Sequence, residues 1–221
     1  MPYFDHNSTT PLAPEVAATL SSALHDVYGN PSSTHRAGQL ARRHLEQARR
    51  TIAGALHVAP AEIVFTSGGT ESNNLAILGL LRNSAKTAHA VTLAIEHPAV
   101  IEPFRQLEQE GLAVTYVKSA EAIGSALRDD TVLISVMHAN NETGAIQPID
   151  EIAQIVTARR VAGQTVYFHS DGVQAFGKIP VDLSRSAIDL YSLSAHKIFG
   201  PKGIGALFVR KNTPLKCTST N

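Results

Sequence analysis

Ser192-Leu-Ser-Ala-His-Lys197, read together with the upstream stretch His169-Ser-Asp-Gly-Val-Gln174, decides how this chain is read. Each is met at the end of a short apolar run, 188–191 for the first and 165–169 for the second. Runs of four to eight apolar residues bounded by turn formers read as buried strands. Five more occur, at 63–65, 90–95, 113–117, 131–136 and 204–209, and 131–136 is the most apolar.

Helical patterns fall between them. Thr66-Ser-Gly-Gly-Thr70 opens one, with Leu75, Leu78 and Leu81 on one face. Residues 100–109 form another, started by Pro98 and closed by Gly111, and 149–161 a third, closed by Gly163. Ahead of these lies a helical pair, 14–26 and 35–57, joined by Tyr28-Gly-Asn-Pro-Ser-Ser-Thr34, a loop rich in turn formers. Near-continuous apolar strands alternating with helices predict an α/β fold with a mostly parallel sheet of seven strands, covered on both faces. Ligands of such sheets bind at the carboxyl ends of the strands. The residues able to carry chemistry here follow strands.

Composition narrows the function class. The 221 residues carry 19 basic and 19 acidic side chains, so no net charge favours nucleic acid or an anionic membrane as partner. No apolar run reaches the length of a membrane span, and Met1-Pro-Tyr-Phe-Asp5 has no secretory pattern. A single cysteine, Cys217, excludes an internal disulfide framework and a CxxC metal site. The histidines lack HxxxH-like spacing, so no metal is expected. A soluble cytoplasmic protein is the expectation.

Five local groups offer chemistry, each beside a plainer reading. Ser67-Gly-Gly-Thr-Glu71 follows a strand and opens a helix, so its free N–H groups can hold a phosphate, with Gly69 allowing close approach and Thr70 adding a hydroxyl. It also reads as an ordinary helix cap. His97, in Glu96-His-Pro-Ala99, can stack on a planar group or move a proton, or simply sit in a turn. His138-Ala-Asn-Asn-Glu-Thr-Gly144 brings amides to the sheet edge, as does any polar loop. Asp171 can face a ring nitrogen and Gln174 a phenolic oxygen; a capping or surface aspartate is the alternative. Lys197, flanked by Ser194 and His196, is either a nucleophilic amine or a surface lysine in a Gly/Pro loop. A Schiff-base lysine and an aspartate for a pyridinium nitrogen are the minimal apparatus of pyridoxal phosphate chemistry.

The motifs, in order, resemble those of cysteine desulfurases of the NifS/IscS type, in the class V aminotransferase superfamily. The resemblance rests on Tyr3-Phe-Asp-His-Asn-Ser-Thr-Thr10, Gly29-Asn-Pro-Ser-Ser33, Ser67-Gly-Gly-Thr-Glu-Ser-Asn-Asn74 and Glu96-His97. It continues through His138–Gly144, Asp171–Gln174 and Ser194-Ala-His-Lys197 to Ile198-Phe-Gly-Pro-Lys-Gly203 and Arg210, covering residues 2–216. It implies the large domain of the pyridoxal-phosphate-dependent transferase fold type I, with 1–15 an N-terminal segment, 16–210 the cofactor-binding domain and 211–221 a divergent tail. Lys197 becomes the Schiff-base lysine, Asp171 the partner of the pyridinium nitrogen and Gln174 that of the phenolic oxygen. His97 stacks on the ring and serves in proton transfer; Gly69, Thr70, Ser194 and His196 hold the phosphate; Asn141 lies beside the ring and the substrate carboxylate.

The reaction implied turns L-cysteine into L-alanine and leaves the sulfur as a persulfide for iron–sulfur cluster and thio-cofactor assembly. A homodimer and an iron–sulfur scaffold protein are the implied partners. Family members are roughly twice this length. On that reading the small C-terminal domain and the cysteine-bearing loop are missing, and Cys217 is no substitute. Selenocysteine lyase activity, or a catalytically dead cofactor-binding module acting with a partner, are the alternatives.

Overall fold

The computed structural model describes residues 2–82, 84 and 87–216. Helices α1 (Pro14–Asp26) and α2 (Arg36–Leu56) come first. Strand β1 (Ile63–Thr66) leads into α3 (Gly69–Leu81), and β2 (His89–Leu93) into α4 (Pro98–Gln109). Then come β3 (Ala113–Val117), a single turn α5 (Ile123–Ala126), β4 (Thr131–Ser135) and α6 (Ile149–Val161). The strands β5 (Tyr167–Asp171), β6 (Leu190–Ser194) and β7 (Gly205–Val209) close the series.

The seven strands form one sheet in the order β1-β7-β6-β5-β4-β2-β3. Pairings from β3 through β6 are parallel, and β7 runs antiparallel to both its neighbours. The expected mostly parallel sheet is present, with one reversed strand that apolar periodicity does not reveal. Alternate side chains feed two cores. Val91, Ile134, Phe168 and Phe208 pack with Leu56 of α2 and Ile152 and Val156 of α6. Ala90, Leu133, Leu190 and Leu207 pack on the other face with Ile77 and Leu80 of α3 and Phe104 of α4. Each strand is thus apolar on both sides, as a helix-covered parallel sheet requires.

Helix ends follow their local signals. His35 accepts from the Gly38 N–H, and His57 closes α2 in the left-handed region at φ 58°. Pro14 and Pro98 sit in first turns, where no N–H is needed.

Strand ends differ from the apolar pattern. Pairing runs on from 169 to Asp171 in β5 and from 191 to Ser194 in β6. The extensions are mostly polar yet buried; Asp171 and Ser192 are paired there, whereas the Ser170 hydroxyl has no partner among the described residues. His169 spans the sheet between the Ser135 hydroxyl (2.8 Å) and the Ser192 hydroxyl (3.0 Å). At the far end of the chain, Leu215 packs on the α3–α4 core and the Lys216 N–H donates to Gly79 O (3.1 Å). Cys217 lies outside the described residues.

Candidate active site

The carboxyl ends of the parallel strands and the start of α3 surround one cavity of about 450 Å³. All nine residues singled out above line it: Gly69, Thr70, His97, Asn141, Asp171, Gln174, Ser194, His196 and Lys197. They arrive from five separate segments, which a single sheet edge brings together.

The α3 end of the cavity is built for close approach. Gly68 precedes the helix, so the first turn opens at Gly69 and Thr70. A Cβ on Gly69 would stand 2.7 Å from Val173 Cγ2, so only glycine fits without displacing Val173. Glu71 turns back to accept from the Ser67 N–H at 2.5 Å, and hydrogen bonding first from the Ser67 side chain and then from that N–H lowers its pKa.

Asp171 closes β5 and is buried. Its Oδ2 accepts from Asn73 Nδ2 (2.7 Å) and its Oδ1 from the Val173 N–H (3.0 Å). Burial pushes the carboxyl upward, while those two donors and the charges of His97 and Lys197 pull it back. A cationic ring N–H in the cavity would add to that pull. Gly172, next in sequence, is where the Tyr191 ring passes: a Cβ there would lie 2.1 Å from it. Tyr191 in turn shares a 2.8 Å hydrogen bond with His138 Nδ1.

His97 caps α4. Its Nδ1 accepts from the Ala99 N–H (3.0 Å), so the neutral ring carries its proton on Nε2. Beneath it, Glu96 is buried with Oε1 accepting from the Met137 N–H (2.6 Å). Burial raises the Glu96 pKa well above the carboxylate range, and the nearby Asp171 charge raises it further. Asn141 is presented by a tight loop. Asn140 Oδ1 accepts from the N–H groups of Glu142 and Thr143 (2.9 Å each), and Asn140 Nδ2 donates to Ile95 O.

Lys197 ends a single turn after β6. Its ammonium donates to the carbonyls of Asn7 and Ser8, 2.7 Å each. Burial is the main cause that lowers its pKa; the Lys178 charge adds to it, and Asp171 and Asp5 oppose. The N-terminal segment is laced to this turn. Thr10 donates from N–H and Oγ1 to His196 O (2.9 Å each), Thr9 Oγ1 pairs with His196 Nδ1 (3.1 Å), and the Phe199 N–H donates to Thr10 Oγ1 (2.7 Å). These bonds hold Phe199 at φ 63°, a region costly for a bulky side chain.

The sequence profile described as Aminotransferase class-V matches residues 2–219. The chain belongs to the class-V aminotransferase family. This class-V chain is 45% identical over 221 residues to the cysteine desulfurase IscS of Dictyoglomus turgidum, covering 96% of itself and 55% of that protein. It is 46% identical over 220 residues to the IscS of Aeromonas salmonicida, covering 95% of itself and 53% of the relative. The chain therefore spans about half the length of the curated relatives it matches. Among solved structures, SspA in complex with cysteine superposes with a TM-score of 0.93 at 38% identity, over 99% of this chain and 65% of that one. A NifS-like protein superposes with a TM-score of 0.94 at 37% identity, over 99% and 62%.

The donor set fits pyridoxal phosphate. A helix start open to an anion, a buried carboxylate, an imidazole and a lysine amine share one cavity. Sequence reasoning left Asn73 and the Asn7 and Ser8 carbonyls without roles. Asn73 had a signal: it shares the face of Ala76, Ile77 and Leu80 at helical spacing, a polar group on an apolar stripe. The carbonyls had none. Among the described residues, no cluster of His, Cys, Asp or Glu could hold a metal, and no helix is long and apolar enough to cross a membrane.

Proposed function

We propose that this chain is the cofactor-binding part of a pyridoxal-phosphate-dependent cysteine desulfurase, converting L-cysteine to L-alanine with its sulfur left on a thiol as a persulfide. The observation that carries the reading is the meeting of Lys197, Asp171, His97 and the start of α3 in one cavity. The likeness to IscS proteins supports the choice of reaction.

Pyridoxal phosphate, when bound, supplies an electron sink for a carbanion at the α-carbon of an amino acid. Gly69 and Thr70 offer backbone N–H groups to the phosphate, and Ser194 and His196 confine it. Asp171 keeps a proton on the ring nitrogen, and the N–H groups of Asn73 and Val173 keep that carboxylate in place. Gln174 serves the phenolic oxygen. His97 presents Nε2–H for stacking and proton transfer, fixed by its bond to the Ala99 N–H. Asn141 sits beside the ring and the substrate carboxylate. Lys197 is the covalent anchor, and burial favours its neutral, nucleophilic amine. By the same likeness the protein works as a homodimer in the cytoplasm and passes sulfur to an iron–sulfur scaffold protein. The cofactor-binding domain is taken as 16–210, with 1–15 a segment laid across it and 211–221 a tail.

The test is spectroscopic, then chemical. Chain mixed with pyridoxal phosphate and gel-filtered is expected to keep a visible absorption band that Lys197→Ala loses. Supplied with the C-terminal half of an IscS relative, it is expected to form L-alanine from L-cysteine. No band in folded protein overturns the cofactor reading. A band with alanine formed only from selenocysteine overturns the choice of substrate, and a band with no product from either overturns the activity.

A further inference from the structure

Outside the nine residues, the Lys178 side chain is tied directly to a residue of the cavity wall. The segment after Asp171 winds through a helical turn, with the N–H of Phe176 on Gly172 O and the N–H of Lys178 on Ala175 O. Gln174 and Lys178, four residues apart, therefore share one face. The Lys178 ammonium donates to Gln174 Oε1. Gln174 Nε2 donates to Asn7 O (2.8 Å), and Lys197 Nζ donates to the same carbonyl (2.7 Å). A continuous chain of hydrogen bonds thus runs from one lysine to the other.

We propose that Lys178 is a positioning residue of this cavity: its ammonium fixes the amide of Gln174 and sets a second positive charge beside Lys197. An ammonium has donors only, so it selects the oxygen end of the amide. The nitrogen end then faces the other way, one N–H on Asn7 and the other available to a ligand in the cavity. A second cation near a lysine disfavours its protonated form. The groups facing Lys197 are Lys178 on this turn, Asp171 from β5, Asp5 from the N-terminal segment and neighbouring His196. Of these, Lys178 is the one that adds to burial in lowering the Lys197 pKa, against both aspartates.

The inference rests on the cofactor reading for its purpose, but its test needs no cofactor. The cofactor-free full chain is labelled with trace acetic anhydride across pH 7 to 10, and acetylation at Lys197 is quantified by mass spectrometry. At low salt and pH 8, Lys178→Met is expected to cut Lys197 labelling about threefold, since the charge lies at a partly screened surface. Lys178→Arg restores it, and 1 M salt narrows the gap. A merely structural role moves the melting curve and leaves the pH profile of Lys197 in place. Coincident profiles for wild type and a folded Lys178→Met overturn the proposal. Should that variant not fold, Lys178→Gln keeps a donor without the charge and is read the same way. Failure here leaves the Lys197-dependent visible band untouched, whereas a missing band leaves the labelling result standing.

Discussion

Helices α1 and α3 are both 13 residues long, and the sheet treats them oppositely. Most of α3 is buried, including Ala76, Ile77, Leu80 and Leu81. Nothing in α1 is buried, and Leu20 and Leu24 face outward with Tyr3, Phe4 and Tyr28 nearby in sequence. Yet α1 carries the better local signals: a proline in its first turn, Glu15 near its start and His25 near its end. Helix α3 has glycine at its start, shares the acidic first-turn signal through Glu71, and is polar in its first half and apolar only from Leu75 on. Local signals decide that a segment becomes a helix; the sheet decides how much that helix is worth.

The largest test of the contrast is a pair of truncations. Ile77→Ala in α3 is expected to cost about 3–4 kcal/mol in urea unfolding, since it empties a fully buried site. Leu24→Ala in α1 should cost under about 0.5 kcal/mol. A dilution-dependent loss for Leu24→Ala would instead show that copies of the chain cover α1.

Acid probes the buried imidazole of β5. Burial holds His169 down to a pKa of about 3, well below the free imidazole. Between those values the unfolded chain binds the proton and the folded chain does not. The stability that neutral His169 contributes is therefore complete above about pH 6.5 and is lost as pH falls towards 3, by up to about 1.4 kcal/mol per pH unit. His169→Gln should flatten unfolding free energies measured from pH 6.5 down to 5. Burial, with the Arg128 charge, also lowers the pKa of His89, which adds a slope of the same sign.

A smaller effect sharpens the contrast at the start of α3. Gly69→Ala is expected to weaken pyridoxal phosphate retention by about tenfold, read by equilibrium dialysis, because the new methyl meets Val173. Val173→Ala in the same chain should recover part of it. Smallest of all, Glu102→Gln breaks the exposed pair with Arg105 on α4 and should shift stability by under about 0.5 kcal/mol in urea.

Much of this architecture was legible from residue order. The bounds of α1 and α6 match their proline and glycine punctuation, and 35–57 differs from α2 only by its two capping histidines. The strand tips were not legible. Apolar pattern stops at 169 and 191 because Ser170, Asp171, Ser192 and Ser194 look like surface, although each is buried. The partners seen come from distant parts of the chain, His169 of β5 for Ser192 and Asn73 of α3 for Asp171, so no local window contains the reason. The site residues were legible as types after strands, whereas the lacing of Thr9, Thr10 and Asn7 onto the Lys197 turn depends on residues nearly the whole chain apart.

That lacing sets an order of events. The carbonyls of Asn7 and Ser8 bond a side chain about 190 positions later, and Thr10 seats the backbone of Phe199. At a synthesis rate of about 5–20 residues per second, these early residues wait roughly 10–40 s for their partners to be made. Contacts of such long sequence separation are slow to form. Residues 7–10 are therefore fastened long after they are made, and the cavity stays unsealed on that side until the Lys197 turn has left the ribosome.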